Sequence, residues 1–232
     1  MTTKREAYRM ERRRRQTRRK VLTGIAIGVG VLIVAGIIWT VIASQPPKTT
    51  GTSAAATGSC TPSTLQFASA PAMQIDVKKQ YFATFKMAKG GEFVIQLFPD
   101  KAPITVNSFV FLANKGYYNC VTFHRVLEGF MAQGGDPTGT GNGGPGYSFV
   151  NEQNDLLFDK AGVVAMANAG PDTNGSQFFI MFGPGSLSES DYTIFGQVTS
   201  GMDVVNSLTR RDPQQNPNFP GDTIESVTIS EK

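Results

Sequence analysis

Residue types on which many protein chemistries depend are scarce in this chain of 232 residues. It has one histidine, two cysteines and one tryptophan, and only 17% of its residues are charged. These numbers exclude a histidine-rich metal site, a zinc cage built from cysteines and a scaffold dense in disulfides. Hydrophobic residues make up 40%, which is too many for general disorder and too few for a chain with many membrane spans.

Motifs of several enzyme classes are also missing. The sequence contains no G-x-x-x-x-G-K-[ST], no H-E-x-x-H and no G-x-S-x-G motif. Residues 139–144 match G-x-G-x-x-G, but Pro145 follows and no helical pattern comes after it, which argues against a dinucleotide site. A serine–histidine–acid triad would need His124, and no nucleophile elbow accompanies it. We therefore expect no cofactor and no metal.

Positive charge is concentrated at the N-terminus. The net charge of the chain is +4, but residues 1–20 alone hold ten Lys or Arg and two acidic residues, a net of +8. The other 212 residues have a net charge of −4. A mildly acidic globular part argues against a nucleic-acid-binding domain, so we expect no nucleic-acid partner.

An uncharged stretch of 23 residues, 21–43, follows this basic tail. As a helix it is about 34 Å long, enough to cross the roughly 30 Å hydrocarbon core of a lipid bilayer. The stretch is longer than the apolar part of a usual signal peptide, although cleavage after Ala43 is an alternative. We expect an uncleaved, single-pass signal-anchor helix in the cell membrane. The positive-inside rule places residues 1–20 in the cytoplasm and the rest of the chain outside.

Residues 44–75 are rich in Ser, Thr, Ala, Pro and Gly and lack periodicity, which predicts a flexible linker. Cys60 lies in this linker and Cys120 in the globular part. Both are expected outside the cytoplasm, where disulfides persist, so a disulfide between them is a hypothesis. Their separation along the chain says nothing about geometry.

Residues 76–232 alternate between short strand-like runs and glycine-rich turns. A helix is predicted over 102–114, with Pro103 near its start and Gly116 after its end, and a second over 202–210. Strands are predicted at 81–85, 92–98, 121–126, 130–133, 163–167, 177–182, 193–198 and 226–229. Eight short strands and two helices indicate a mainly β fold, a closed eight-stranded antiparallel barrel.

Two segments combine large apolar residues with Arg, Gln and Asn at strand spacing. They are residues 123–136, FHRVLEGFMAQGGD, and residues 167–180, ANAGPDTNGSQFFI. Successive residues of a strand face opposite sides, so Arg125 and Val126 point apart. A surface of Phe, Met, Gln and one Arg, without a metal set or an activated nucleophile, suits a short apolar peptide segment.

At these two segments the chain resembles the cyclophilin family of peptidyl-prolyl cis/trans isomerases. Both blocks match in order and at a family-like separation, and residues 193–198, TIFGQV, match a later strand of the family. The resemblance covers about residues 80–230, and the loops at 138–146 and 183–190 resemble bacterial-type members. It implies a cyclophilin-like barrel that isomerises X–Pro bonds in proline-containing polypeptides and so accelerates the folding of exported or surface proteins.

The resemblance also implies roles for individual residues. Arg125 is expected to be the catalytic residue, whose guanidinium stabilises the twisted X–Pro amide. The expected substrate-binding residues are Phe130, Met131, Gln133, Ala167, Asn168, Gln177, Phe179, Leu187 and Tyr192. We expect a structural role for His124, a core position for Phe178, and Asp136 to fasten a loop.

The chain departs from the best-known members of the family at two positions of the pocket wall. Leu187 stands where many have Trp, and Tyr192 where many have His. The lining stays apolar, so we expect isomerase activity to persist and the drug cyclosporin to bind more weakly. Two alternatives are a non-catalytic chaperone module that binds proline-containing segments and a structural surface anchor. The presence of Arg125 and a complete groove argues against both.

Overall fold

The structure is a computed structural model that describes residues 60–215 and 217–232. The predicted basic tail (1–20), membrane helix (21–43) and first part of the linker (44–59) lie outside the described residues. Within the described ranges, no helix has the length and apolarity needed to cross a membrane.

Nine strands and two α-helices form the described part of the chain. The strands are β1 (Tyr81–Met87), β2 (Glu92–Leu97), β3 (Thr122–Phe123), β4 (Arg125–Leu127), β5 (Met131–Gly134), β6 (Val163–Met166), β7 (Phe178–Met181), β8 (Ile194–Ser200) and β9 (Asp222–Glu231). The helices are α1 (Pro103–Asn114) and α2 (Met202–Asn206), and a short 3-10 turn covers Pro213–Gln215. Every strand and helix predicted from the sequence is present, with shifted ends.

Helix α2 is shorter than the predicted 202–210, because the chain after it is recruited to the sheet. The backbone N–H of Thr209 donates to the carboxylate of Asp222, at the start of β9, with a distance of 2.6 Å. Arg211 then exchanges two backbone hydrogen bonds with Val126 of β4. These partners replace the helical hydrogen bonds that the sequence pattern predicted.

The strands form one antiparallel sheet with the order β3-β9-β1-β2-β8-β6-β7-β5-β4. Strands β3 and β4, at the two ends of this order, are one stretch of chain interrupted at His124. This stretch pairs with β9 on one side and with β5 on the other, which makes a nearly closed barrel. The structure therefore has nine strands instead of the predicted eight, because the predicted strand 121–126 is split.

Alternation along the strands produces two hydrophobic clusters. The larger one fills the barrel, and Phe178 lies at its centre with an exposed fraction of 0%, which confirms its predicted core position. Its ring centroid lies 5.6–6.1 Å from those of four other aromatic residues, Phe85, Phe109, Tyr118 and Phe123. The smaller cluster, here the outer cluster, covers the other face of the sheet and comprises Met131, Phe158, Val163, Ala165, Phe179, Met181 and Ile194.

Residues 60–75, which the sequence predicted to be part of a flexible linker, pack on the barrel instead; they are named the strap here. The ring of Phe67 lies 5.0 Å from that of Phe111 on α1. Asn107, also on α1, accepts a hydrogen bond of 2.8 Å from the backbone N–H of Gln74 and donates to two strap carbonyl groups. The prediction was wrong here because the composition of small residues concealed an aromatic anchor.

A disulfide joins Cys60, the first residue of the strap, to Cys120, which confirms the hypothesis of a bond between them. The two Cα atoms are 5.3 Å apart. The backbone N–H of Cys120 donates to the carbonyl of Ile224 in β9, with a distance of 2.7 Å. The beginning of the strap is thus covalently attached to the sheet.

We expect the double substitution Cys60→Ser with Cys120→Ser to lower the free energy of unfolding by about 2–4 kcal/mol, because the unfolded chain regains the freedom that the cross-link removes. Denaturant unfolding of the full-length protein, followed by circular dichroism, measures this difference. Wild-type protein in reducing buffer is the control and is expected to match the variant. A variant as stable as the oxidised wild type would contradict the prediction.

Candidate active site

The candidate site lies on the outer face of the barrel, above the outer cluster. The strand register places Arg125 of β4 opposite Gln133 of β5, and Gln133 opposite Phe179 of β7. These three residues share the outer face because their neighbours, such as Val126 and Phe178, point into the barrel. The two segments identified in the sequence therefore meet side by side in adjacent strands.

The side chains on this face line a cavity of about 140 Å³, here the small cavity. Nine of the ten residues predicted to form the site line it, namely Arg125, Phe130, Met131, Gln133, Ala167, Asn168, Phe179, Leu187 and Tyr192. The tenth, Gln177, lines a larger cavity of about 530 Å³ beside it, here the adjoining cavity. The two cavities share Gln133, Ala167 and Asn168 in their walls and are therefore adjacent.

Aromatic rings form the floor of the small cavity. The ring of Phe179 stacks on that of Phe158, with centroids 5.9 Å apart, and Tyr192 stands edge-on to both. Phe158 is buried and packs against Phe179, but no motif in the sequence marks it. It lies in the long connection between β5 and β6, where no strand or helix pattern marks it. Close packing gives the cavity a rigid apolar floor.

Arg125 stands half-buried at the rim of the small cavity. Within the described part of the chain, the ion pairs involve other basic residues, and the guanidinium of Arg125 has no carboxylate within 4.0 Å. By contrast, Arg210 pairs with Glu128. A guanidinium carries five donors and a positive charge, so Arg125 can offer a charged donor to a ligand in the cavity.

A chain of amide hydrogen bonds holds the border between the two cavities. The Nε2 of Gln133 donates to the Oε1 of Gln177 with a distance of 2.9 Å. The Nε2 of Gln177 in turn donates to the carbonyl groups of Gly141, at 3.0 Å, and Gly143, at 2.9 Å. Gln133 is thereby fixed opposite Arg125, and its position depends on the glycine-rich loop at 138–146.

This glycine-rich loop is organised by Asp136, which is fully buried. The carboxylate accepts four backbone hydrogen bonds of 2.6–3.1 Å from the loop, donated by Thr138, Thr140, Gly141 and Gly143. Burial alone would raise the pKa of Asp136, but the bonds from Gly143, Thr138 and Gly141 outweigh burial and lower its pKa below the ordinary value. Asp136 thus fastens a loop, as predicted.

Asn168 is partly engaged in the loop after β6. Its Nδ2 donates to the carbonyl of Asp191 with a distance of 2.8 Å, and its Oδ1 accepts a hydrogen bond of 3.2 Å from the N–H of Gly170. The side chain therefore holds the cavity wall in place, and the second amide hydrogen, the second lone pair of Oδ1 and the main chain of Asn168 are left to contact a ligand.

His124 lies at the break between β3 and β4 with an exposed fraction of 1%. Among the described residues, neither ring nitrogen has a hydrogen-bond partner. Burial lowers the pKa of His124; the carboxylate of Asp136 opposes this shift, and the charges of Arg211 and Arg125 add to it. A buried ring that lines neither cavity supports the structural role expected from the sequence.

Comparison with known proteins gives a consistent result. The family model described as Cyclophilin type peptidyl-prolyl cis-trans isomerase/CLD matches residues 82–229. Peptidyl-prolyl cis-trans isomerase-like 1 of Mus musculus is 51% identical over 122 residues, which cover 51% of this chain and 74% of that protein. Peptidyl-prolyl cis-trans isomerase B of Bacillus subtilis is 44% identical over 129 residues, which cover 55% of this chain and 90% of that protein. The expected bacterial type stays a prediction, since both kinds of relative match.

Solved structures are also similar to a large part of the chain. A crystal structure of a cyclophilin type peptidyl-prolyl cis-trans isomerase of Cryptosporidium parvum superposes with a TM-score of 0.59 and 30% identity. The superposed region covers 66% of this chain and 99% of the Cryptosporidium parvum chain. A crystal structure of the same protein in the presence of the dipeptide Ala-Pro superposes with a TM-score of 0.59 and 32% identity, and covers 65% of this chain and 99% of that chain.

We expect the buried, neutral ring of His124 to make stability depend on pH. Its stabilising contribution is complete above the ordinary histidine pKa of about 6.5 and is lost as the pH falls from there through the lowered pKa of the folded state. Unfolding free energies measured from pH 7.5 down to pH 5 test this slope, which one proton limits to about 1.4 kcal/mol per pH unit.

The variant His124→Gln is the comparison, because it removes the only histidine of the chain. Its absolute stability is expected to be lower, but its unfolding free energy should change little over this pH range. Equal slopes for wild type and variant would show that His124 is not the titrating group.

Proposed function

The chain belongs to the cyclophilin-type peptidyl-prolyl cis-trans isomerase family, and on this premise we propose that the outer-face site performs the isomerisation with Arg125 as its catalytic residue. The assignment of Arg125 as the catalytic residue rests on one observation. Arg125 is a cation without an ion-pair partner in the described part of the chain, and it lines a cavity of about 140 Å³ whose floor is made of packed aromatic rings. Such a cavity suits a proline ring beside a single charged donor.

The reaction breaks no covalent bond. The barrier of about 18–20 kcal/mol comes from the partial double-bond character of the C–N bond, which is lost when the amide twists. An enzyme lowers this barrier when it binds the twisted amide more tightly than the planar forms. In the twisted amide the prolyl nitrogen becomes pyramidal and gains a lone pair. An N–H group of Arg125 donates to this lone pair, and no proton is transferred.

The other residues of the site position the substrate. The proline ring rests on Phe179, with Phe130 and Met131 beside it and Leu187 and Tyr192 on the wall. Because the ring is held, the far side of the amide is the part that rotates. The polar residues at the border, Gln133, Ala167, Asn168 and Gln177, contact the neighbouring backbone of the peptide.

The proposed cellular role is the folding of exported or surface proteins by a single-pass membrane protein. The uncharged stretch 21–43 after a basic tail supports an anchor with its N-terminus in the cytoplasm. The Cys60–Cys120 disulfide supports a barrel outside the cytoplasm, because such bonds persist in oxidising compartments. The lipid bilayer and proline-containing polypeptides are the proposed partners.

We expect Arg125→Ala to lower kcat/KM by about 10²–10³-fold, because the lost donor acts mainly on the twisted amide. A protease-coupled assay of peptide turnover measures the loss, and the thermal unfolding midpoint checks that the variant is folded. Arg210→Ala is the matched control, since Arg210 lies over the ring of Phe182 and does not line the small cavity. Peptide binding without turnover by the wild type would favour the chaperone module.

We propose that cyclosporin binds this protein about ten- to a hundredfold more weakly than it binds Leu187→Trp. An indole N–H can donate a hydrogen bond of about 0.5–1.5 kcal/mol, and its larger contact area adds a similar amount. Calorimetric titration of both proteins measures the ratio, and turnover of small peptides is expected to change much less. Equal affinities would contradict this explanation and direct attention to Tyr192.

The proposed topology predicts that protease added to intact spheroplasts digests the barrel or the segment before it. A cytoplasmic marker protein serves as the control and is expected to stay intact. Protection of the barrel until the membrane is lysed would contradict the topology.

A further inference from the structure

The strap reaches the substrate side of the barrel. Gln66 is one of the residues that line the adjoining cavity. Its Nε2 donates a hydrogen bond of 2.8 Å to the carbonyl of Gly144 in the glycine-rich loop. The sequence pattern gave no sign of this contact, because 78 residues separate the two positions.

The position of Gln66 is fixed from the residue that follows it. The backbone N–H of Phe67 donates to the carbonyl of Pro145 with a distance of 2.8 Å. The ring of Phe67 packs edge-on against Phe111 and against Tyr147, which itself lines the adjoining cavity. The strap is therefore a built part of the cavity wall, held by one main-chain bond and two aromatic contacts.

Gly146 allows the strap to come this close. Its φ angle is 92°, and a Cβ atom at this position would lie 2.8 Å from the carbonyl oxygen of Phe67. Any other residue would meet backbone strain and would push the strap away from the loop. On the other side of Gln66, the disulfide at Cys60 limits how far the strap can move.

The two cavities are adjacent and share the wall residues Gln133, Ala167 and Asn168, so a peptide whose proline fills the small cavity can place a neighbouring side chain at the adjoining cavity. We propose that the strap is part of the substrate-binding surface and that Gln66 is a specificity-determining residue that contacts this neighbouring side chain. The inference rests on the proposed isomerase function and adds a wall contributed from outside the barrel strands.

The lining chemistry indicates which side chain the adjoining cavity accepts. The residues that line it are glycines and residues with uncharged amide, hydroxyl or small apolar groups, and none of them carries a charge. A charged side chain would lose hydration there without gaining a partner, whereas an amide or hydroxyl could exchange hydrogen bonds with the wall. The favoured substrates therefore carry a neutral polar residue next to the proline.

The test measures kcat/KM for peptides that carry Gly, Gln, Glu or Lys at each position near the proline. For wild type we expect Gln to be preferred over Glu and Lys at one position. Gln66→Ala should lower kcat/KM for that Gln peptide about two- to tenfold and change the Gly peptide less than twofold. Leu65→Ala is the matched control, because Leu65 is 42% exposed and does not line the cavity.

Substitutions that place a charge at position 66 test the same contact through electrostatic attraction and repulsion, without relying on one hydrogen bond. Gln66→Lys should raise kcat/KM for the Glu peptide relative to the Lys peptide about two- to fivefold, and Gln66→Glu should do the reverse. Release of the strap by Cys60→Ser with Cys120→Ser should weaken the wild-type preference without abolishing turnover.

The outcomes separate the two proposals. If wild type turns over the peptides and every Gln66 variant keeps the wild-type order of preference, the strap plays no part in specificity and the inference is overturned. If wild type turns over none of them, the isomerase function itself is refuted. A uniform fall across all peptides also overturns the inference, because it would indicate a general structural effect.

Discussion

The site depends on a part of the sheet that is buried on both faces. In β7, Phe178 and Ile180 point into the barrel, while Phe179 and Met181 point into the outer cluster. A shift of the strand register by one residue would exchange these sets and place Phe178 in the small cavity. The packing of the barrel interior therefore determines which side chains reach the outer face. The same packing fixes the positions of the side chains that form the site.

The polar half of the site is held by a different kind of constraint. Asp136 fixes the glycine-rich loop, the loop carbonyl groups fix Gln177, and Gln177 fixes Gln133. Each link is a hydrogen bond of 2.6–3.1 Å, and the first has a buried ionised acceptor, which makes such bonds stronger. Buried polar networks are costly when one member is unsatisfied. The loop and the border of the cavities thus form one unit that is separate from the aromatic floor.

The sequence predicted the parts of the molecule that follow a local pattern. Arg125, Gln133 and Phe179 were identifiable because they lie in the two motif blocks that resemble the cyclophilin family, and strand alternation places them on one face of a sheet. Phe158 and Gln66 were not, since one lies in an irregular connection and the other in a segment whose composition indicated a linker. Lack of periodicity does not exclude tertiary contacts. Likewise, the split of the strand at His124 depends on two distant pairing partners, which no local window contains.

The disulfide also determines where a pulling force on the chain before Cys60 acts on the barrel. A pull on the chain before Cys60 passes through the sulfur–sulfur bond to Cys120, so residues 61–119 lie in a covalently closed loop that bears none of the tension. The force arrives next to β3, where the N–H of Cys120 is bonded to Ile224 in β9. A domain tethered at its N-terminal end would therefore keep the strap seated against the cavity wall under load, instead of peeling it away as the first element to detach.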